Sequence, residues 1–148
     1  MICGSAATAC EAGRKAARLR SLDTLLTRED ANLGWEKPCR SLFRFVAWRE
    51  PQLLTEYIAD ESLTPGMRAE AISAAEHIQD GDIARAILTP LLGAVEPIMQ
   101  EAAIYALVGH WTDDIALRVQ AIHDNDTAPL AVREAAAEAL DEADDPAA

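Results

Sequence analysis

The chain has 148 residues, enough to bury one core and within the size of a single domain. Half of the residues are hydrophobic, many of them alanine, only 5% are aromatic, and no stretch alternates β-branched and polar residues over a strand length, which excludes a sheet protein and predicts helices. The formal charge is -12, and no apolar run approaches the roughly 18 residues that span a bilayer.

Residues 1–11 are small and weakly patterned and are expected to be flexible. Arg14, Lys15, Arg18 and Arg20 follow the mildly apolar stretch instead of preceding it, unlike a secretory leader, so a cytoplasmic location is expected. Cys3, Cys10 and Cys39 are odd in number and confined to the first forty residues, which argues against a disulfide framework. Ala12, Ala16, Leu19, Leu22 and Leu26 recur at helical spacing and predict a basic amphipathic helix, the first of a bundle and not a membrane-surface helix. Leu33-Gly34 is its stop signal.

Pro38 suits the first turn of a second helix that buries Leu42, Phe43, Val46 and Ala47. Trp35, Phe43, Phe45, Trp48 and Tyr57 are five of the seven aromatics. Phe43, Phe45 and Trp48 cannot share one direction, so this window supplies core, an exposed patch, or both. Pro51 opens a third helix, and Thr64-Pro65 caps and opens a fourth that runs to about Gln79. Asp80-Gly81-Asp82 is a break. Ile83, Ile87, Leu88, Leu91 and Leu92 mark a fifth helix, which Pro90 should kink or shorten. Glu96-Pro97 starts the sixth, Thr112 or Asp113 caps the seventh, and the eighth runs from Pro129 to about Glu142, leaving a solvated tail from residue 144.

A period runs through the second half. Pro65, Pro97 and Pro129 lie 32 residues apart, and Glu50, Asp82 and Asp114 each lie 15 residues before one of them. Similar alanine-rich runs follow the prolines, beginning at Met67, Met99 and Val132. Such a period is the mark of stacked helical repeats. Paired up, the predicted helices make four antiparallel hairpins in one domain over residues 1–148. The first, over 12–49, breaks the spacing, as expected of a unit that caps a stack.

Several repeat families have hairpins of this length. The tetratricopeptide pattern places its proline at the end of the unit, and the Thr-Pro-Leu-Leu at residues 89–92 is one partial match to the ankyrin pattern without counterparts. The run Val132-Arg133-Glu134-Ala135-Ala136-Ala137-Glu138-Ala139-Leu140, with Asp82-Ile83-Ala84 and Asp114-Ile115-Ala116 opening the preceding helices, resembles the short HEAT-like repeat of the phycobilin-lyase type over residues 50–143. The resemblance implies an all-α, right-handed α-solenoid. It implies a structural role for Arg68 and Arg133, paired with acidic turn residues, and Gln100 departs from that pattern. It also implies that the second helices line a concave face.

Set in register, the runs place Ala69, Glu101 and Glu134 at one position, Ser73, Tyr105 and Glu138 four residues on, and Glu76, Val108 and Asp141 three further. With Glu70, the polar members would form an acidic stripe around Tyr105. Charge agrees. Residues 1–49 hold nine Lys/Arg against five Asp/Glu, whereas residues 50–148 hold four against twenty, giving +4 and -16. A field of that sign repels phosphate backbones and attracts basic surfaces.

The candidate partner-binding residues are therefore Glu70, Ser73, Glu76, Glu101, Tyr105, Glu134, Glu138 and Asp141. The expected partner is a basic protein, not nucleic acid or membrane. A solvated helix face is the plainer alternative for the same residues. His77, His110 and His123 lack the spacing of a zinc site, and no nucleophile motif or phosphate-cradling glycine loop is present, so no catalytic residue, metal or cofactor is assigned. The reading is a non-enzymatic interaction module, such as an immunity protein or antitoxin-like inhibitor. The family resemblance adds a chromophore-handling enzyme subunit or chaperone as an alternative, and self-association through the aromatic window is a third.

Overall fold

Thr64, Asp80 and Thr112 each precede a helix and turn a side-chain oxygen back onto its first free amides. Thr64 Oγ1 accepts from the Met67 amide at 3.2 Å, and Thr112 Oγ1 from the Ile115 amide at 3.3 Å. Asp80 Oδ1 accepts from Asp82 at 3.0 Å and Ile83 at 3.4 Å. Caps of this kind stabilise a helix by about 1 kcal/mol.

The computed structural model describes residues 36–144. The helix expected over 12–28, its stop at Gly34, and Cys3, Cys10 and Trp35 lie outside the described residues. The packing below belongs to the compact unit that begins at Arg40. Seven α helices are described: α1 (Glu36–Arg49), α2 (Leu53–Ala59), α3 (Pro65–Ala74), α4 (Gly81–Leu88), α5 (Pro97–Leu107), α6 (Asp113–His123) and α7 (Leu130–Asp144). The described residues contain no strand.

Pro90 acts as expected. α4 stops at Leu88 and continues as a 3-10 segment, Thr89–Gly93, because a proline inside a helix removes a donor and crowds the preceding turn. α3 and α5 also end in 3-10 turns, Ala75–His77 and Val108–His110. Asp60 and Asn125 organise two of the loops. Asp60 Oδ1 accepts from the Ser62 amide and hydroxyl at 3.0 and 2.6 Å, and Asn125 Oδ1 from those of Thr127 at 3.1 and 2.7 Å.

The proline beat and the structural beat differ by one residue in the last unit. Pro65 and Pro97 are the first residues of α3 and α5, but α7 begins at Leu130. The first intrahelical bonds run from Arg68 N to Thr64 O, Gln100 N to Glu96 O and Arg133 N to Pro129 O, at 3.0, 3.2 and 3.1 Å. Thr64, Glu96 and Pro129 are thus equivalent, spaced 32 and then 33 residues.

Arg68, Gln100 and Arg133 share a task as well. Each donates to a carbonyl of the segment before its own helix: Arg68 Nε to Ile58 O at 2.7 Å, Gln100 Nε2 to Leu92 O at 2.9 Å and Arg133 Nε to Ala128 O at 3.2 Å. The acceptors are backbone oxygens and not the acidic turn residues that the family pattern implied. A glutamine can reach such an acceptor, which accounts for the departure at Gln100.

α3 packs on α5 and α5 on α7, while α2 lies against α3 and α6 against α7. The contact surfaces are narrow and alanine-rich. Ala71, Ala75, Ala103, Ala136 and Ala139 are fully buried, with Met67, Ile72, Ile104, Leu107 and Val132 between them. Burying each larger side chain contributes about 1.5–3 kcal/mol, and the alanines let the helices approach.

The aromatic window divides. Phe43 and Tyr57 are both fully buried and meet edge to face, with ring centroids 5.4 Å apart. Phe45 and Trp48, on the opposite side of α1, remain 52% and 58% exposed.

Candidate functional site

α3, α5 and α7 carry the polar residues that the sequence set in register, and their buried alanines fix which faces remain outside. On α5 and α7 those faces meet. Tyr105 Oη donates to Glu138 Oε2 at 2.7 Å. Glu101 precedes Tyr105 by one helical turn, and Glu134 precedes Glu138 by one turn. The Tyr105 phenol is pushed up to about 12, first by its hydrogen bond to Glu138, then by burial, and then by the negative charges of Glu138, Glu101 and Glu134. The phenol therefore stays protonated and donating across the physiological range. None of the three glutamates forms a salt bridge among the described residues. Asp141 is exposed on the next turn of α7 and has no hydrogen bond to this group.

Glu70, Ser73 and Glu76 fall in different surroundings. They line an open cavity of about 300 Å³ together with Arg40, Arg44 and His77. Arg40 grips Glu70 through two bonds, Nε to Oε2 at 3.1 Å and Nη2 to Oε1 at 3.3 Å. This part of the expected acidic stripe is therefore mixed in charge. The two arginines come from α1, where they are spaced i, i+4 beside the buried Phe43 and Ala47. That spacing was a readable signal for a common face, but not for the helix it would meet.

The histidines are placed by neighbouring backbone. His110 Nε2 lies 3.0 Å from the Glu76 carbonyl. A carbonyl only accepts, so the proton sits on Nε2, and His110 caps the 3-10 end of α3. Arg85 reaches the His110 carbonyl from Nη1 at 3.3 Å and Asp82 from Nη2 at 2.7 Å. His123 Nδ1 lies 3.2 Å from Asp124 Oδ1. Among the described residues no three His, Cys, Asp or Glu side chains converge as a metal ion would require, and no helix is long and apolar enough to cross a membrane.

Two surfaces result: an anionic one on α5 and α7 centred on a half-exposed tyrosine, and a charged cavity between α1 and α3. No protein-family model, curated protein or solved structure matches the chain.

Proposed function

We propose that the chain is a non-enzymatic protein-interaction module of HEAT-like, α-solenoid type that docks a basic protein partner on the α5–α7 face. The observation that carries this reading is the Tyr105–Glu138 bond inside a field of three glutamates that lack a cationic partner in the described chain. The stepwise packing of α3 on α5 and α5 on α7 supports the solenoid, in which each repeat buries its face against the next.

The physics of such a face is specific. Exposed ion pairs contribute only about 0.2–1 kcal/mol each, so the glutamates chiefly steer encounter and reject anionic surfaces. Affinity needs an anchor, and Tyr105 supplies one. Its ring is 43% exposed, its hydroxyl is held by Glu138, and a Lys or Arg over its face gains about 0.5–1 kcal/mol. Occlusion of a cationic protein, as an immunity protein or antitoxin-like inhibitor achieves, is the concrete form of this activity. The α1–α3 cavity is lined by charged and polar side chains, which suits the apolar faces of a tetrapyrrole poorly and leaves chromophore handling without support.

Titrating a lysine- and arginine-rich peptide into isotopically labelled protein tests the reading. Amide shifts should concentrate on α5 and α7 around Glu101, Tyr105, Glu134 and Glu138. Absence of shifts there, with the peptide in excess at low salt, would sink it.

A further inference from the structure

The outward face of α1 is the chemical complement of the anionic face. Over residues 40–49 its exposed side chains are Arg40, Ser41, Arg44, Phe45, Trp48 and Arg49, and no carboxylate lies among them. Phe45 and Trp48 are more than half exposed, their rings are 6.4 Å apart, and the Arg49 guanidinium sits 5.4 Å from the Trp48 ring. Arg40 is committed to Glu70, whereas Arg44 and Arg49 form no salt bridge among the described residues. Exposed Trp, Phe and Arg on one helix face are residue types concentrated at the centres of protein interfaces.

We infer that this face of α1 docks on the α5–α7 face of a second copy of the chain, so that copies associate head to tail. The inference rests on the reading of Glu101, Tyr105, Glu134 and Glu138 as a docking surface, and names its partner. Charge complementarity selects the occupant. Membranes and nucleic acids present extended negative charge, and the -16 carried by residues 50–148 opposes both. A second copy presents negative charge as a local group, with a tyrosine for the arginines to stack on.

The two faces do not satisfy each other within one chain. α1 is tied to α2 and α3, through Phe43 to Tyr57 and Arg40 to Glu70, whereas the anionic group lies on α5 and α7. Among the described residues neither face is paired with the other, and a contact between unlike faces of two copies propagates unless it closes into a ring. The -12 net charge opposes approach, but at physiological salt that repulsion fades over about 8 Å, whereas the paired side chains act in contact. The association is weak and depends on concentration.

Sedimentation of the full chain at physiological salt, over a series reaching millimolar protein, tests this with two variants. Arg44→Glu/Trp48→Ala removes the cationic face and Glu134→Gln/Glu138→Gln the anionic one. All four positions are exposed, and circular dichroism checks that both variants fold. The wild type should grow in mass with concentration, and each variant alone should stay monomeric, with self-association weakened at least tenfold. An equal mixture of the two should form a dimer and stop there, since only one compatible pair of faces remains.

A wild type that stays monomeric throughout, a variant that still associates, or a mixture that remains monomeric overturns the inference. So does co-sedimentation of α1-dependent protein with phosphatidylglycerol vesicles in the absence of self-association. The lysine- and arginine-rich peptide separates this failure from that of the docking reading. If Arg44→Glu/Trp48→Ala binds the peptide while the wild type never self-associates, only the choice of partner is wrong. If neither occurs, both are.

Discussion

Tyr105 and Glu138 stand at equivalent positions of adjacent repeats, and the phenol of one donates to the carboxylate of the other at 2.7 Å. The bond joins α5 to α7 on their outer faces and holds a donor in place among negative charges.

Its titration follows. The phenol is raised from 10.0 to about 12, with the bond to Glu138 as the largest cause. A raised value means that the protonated form is favoured in the folded protein. The contribution to stability is complete below pH 10 and is lost as pH rises from 10 through about 12. The ring is 43% exposed, so the stability change is small. Carbon-13 NMR of the Tyr105 ring should show a midpoint near 12 in the wild type and a value moved back toward 10 in Glu138→Ala. An unchanged midpoint in the variant would assign the shift to something other than Glu138.

Arg68 holds the Ile58 carbonyl at 2.7 Å in a partly buried position. Hydrogen bonds to charged groups contribute about 1.5–3 kcal/mol, so Arg68→Ala should lower unfolding free energy by about that amount in urea titrations. Arg68→Gln should recover part of it, because Gln100 makes the equivalent bond in the next repeat. Equal losses for the two variants would contradict the shared role.

Much of this architecture was legible because it is local. Thr64 and Thr112 cap, Pro65 and Pro97 open helices, and Pro90 ends one, each within a few residues of its cause. The acidic group on α5 and α7 was also legible, since two packed helices in register put matching rungs side by side. The Arg40–Glu70 pair was not, because it spans 30 residues and depends on how α1 lands on α3. The last proline misled for a simpler reason. One added residue moves Pro129 from inside the helix to the position before it, and the period in the letters conceals the shift in the backbone.

The division of α1 into a buried and an exposed aromatic side predicts two different costs. Phe43→Ala leaves a cavity beside Tyr57 and should cost about 3–5 kcal/mol, the usual range for a buried phenylalanine. Trp48→Ala removes a side chain that is 58% exposed and should stay within about 0.5 kcal/mol of the wild type. Urea midpoints measured in dilute protein, where self-association is negligible, separate the two. A large loss for Trp48→Ala would place that ring in the core.

The central claim is that Glu101, Glu134 and Glu138 form a docking face for a basic partner. Its most direct test is the affinity of a lysine- and arginine-rich peptide, read by fluorescence anisotropy across a salt series, for the wild type and for Glu101→Gln/Glu134→Gln/Glu138→Gln. With about 0.2–1 kcal/mol for each pair, the triple variant should bind roughly 3- to 150-fold more weakly, and the difference should shrink as salt rises. Equal affinity for the two proteins at low salt would contradict the claim.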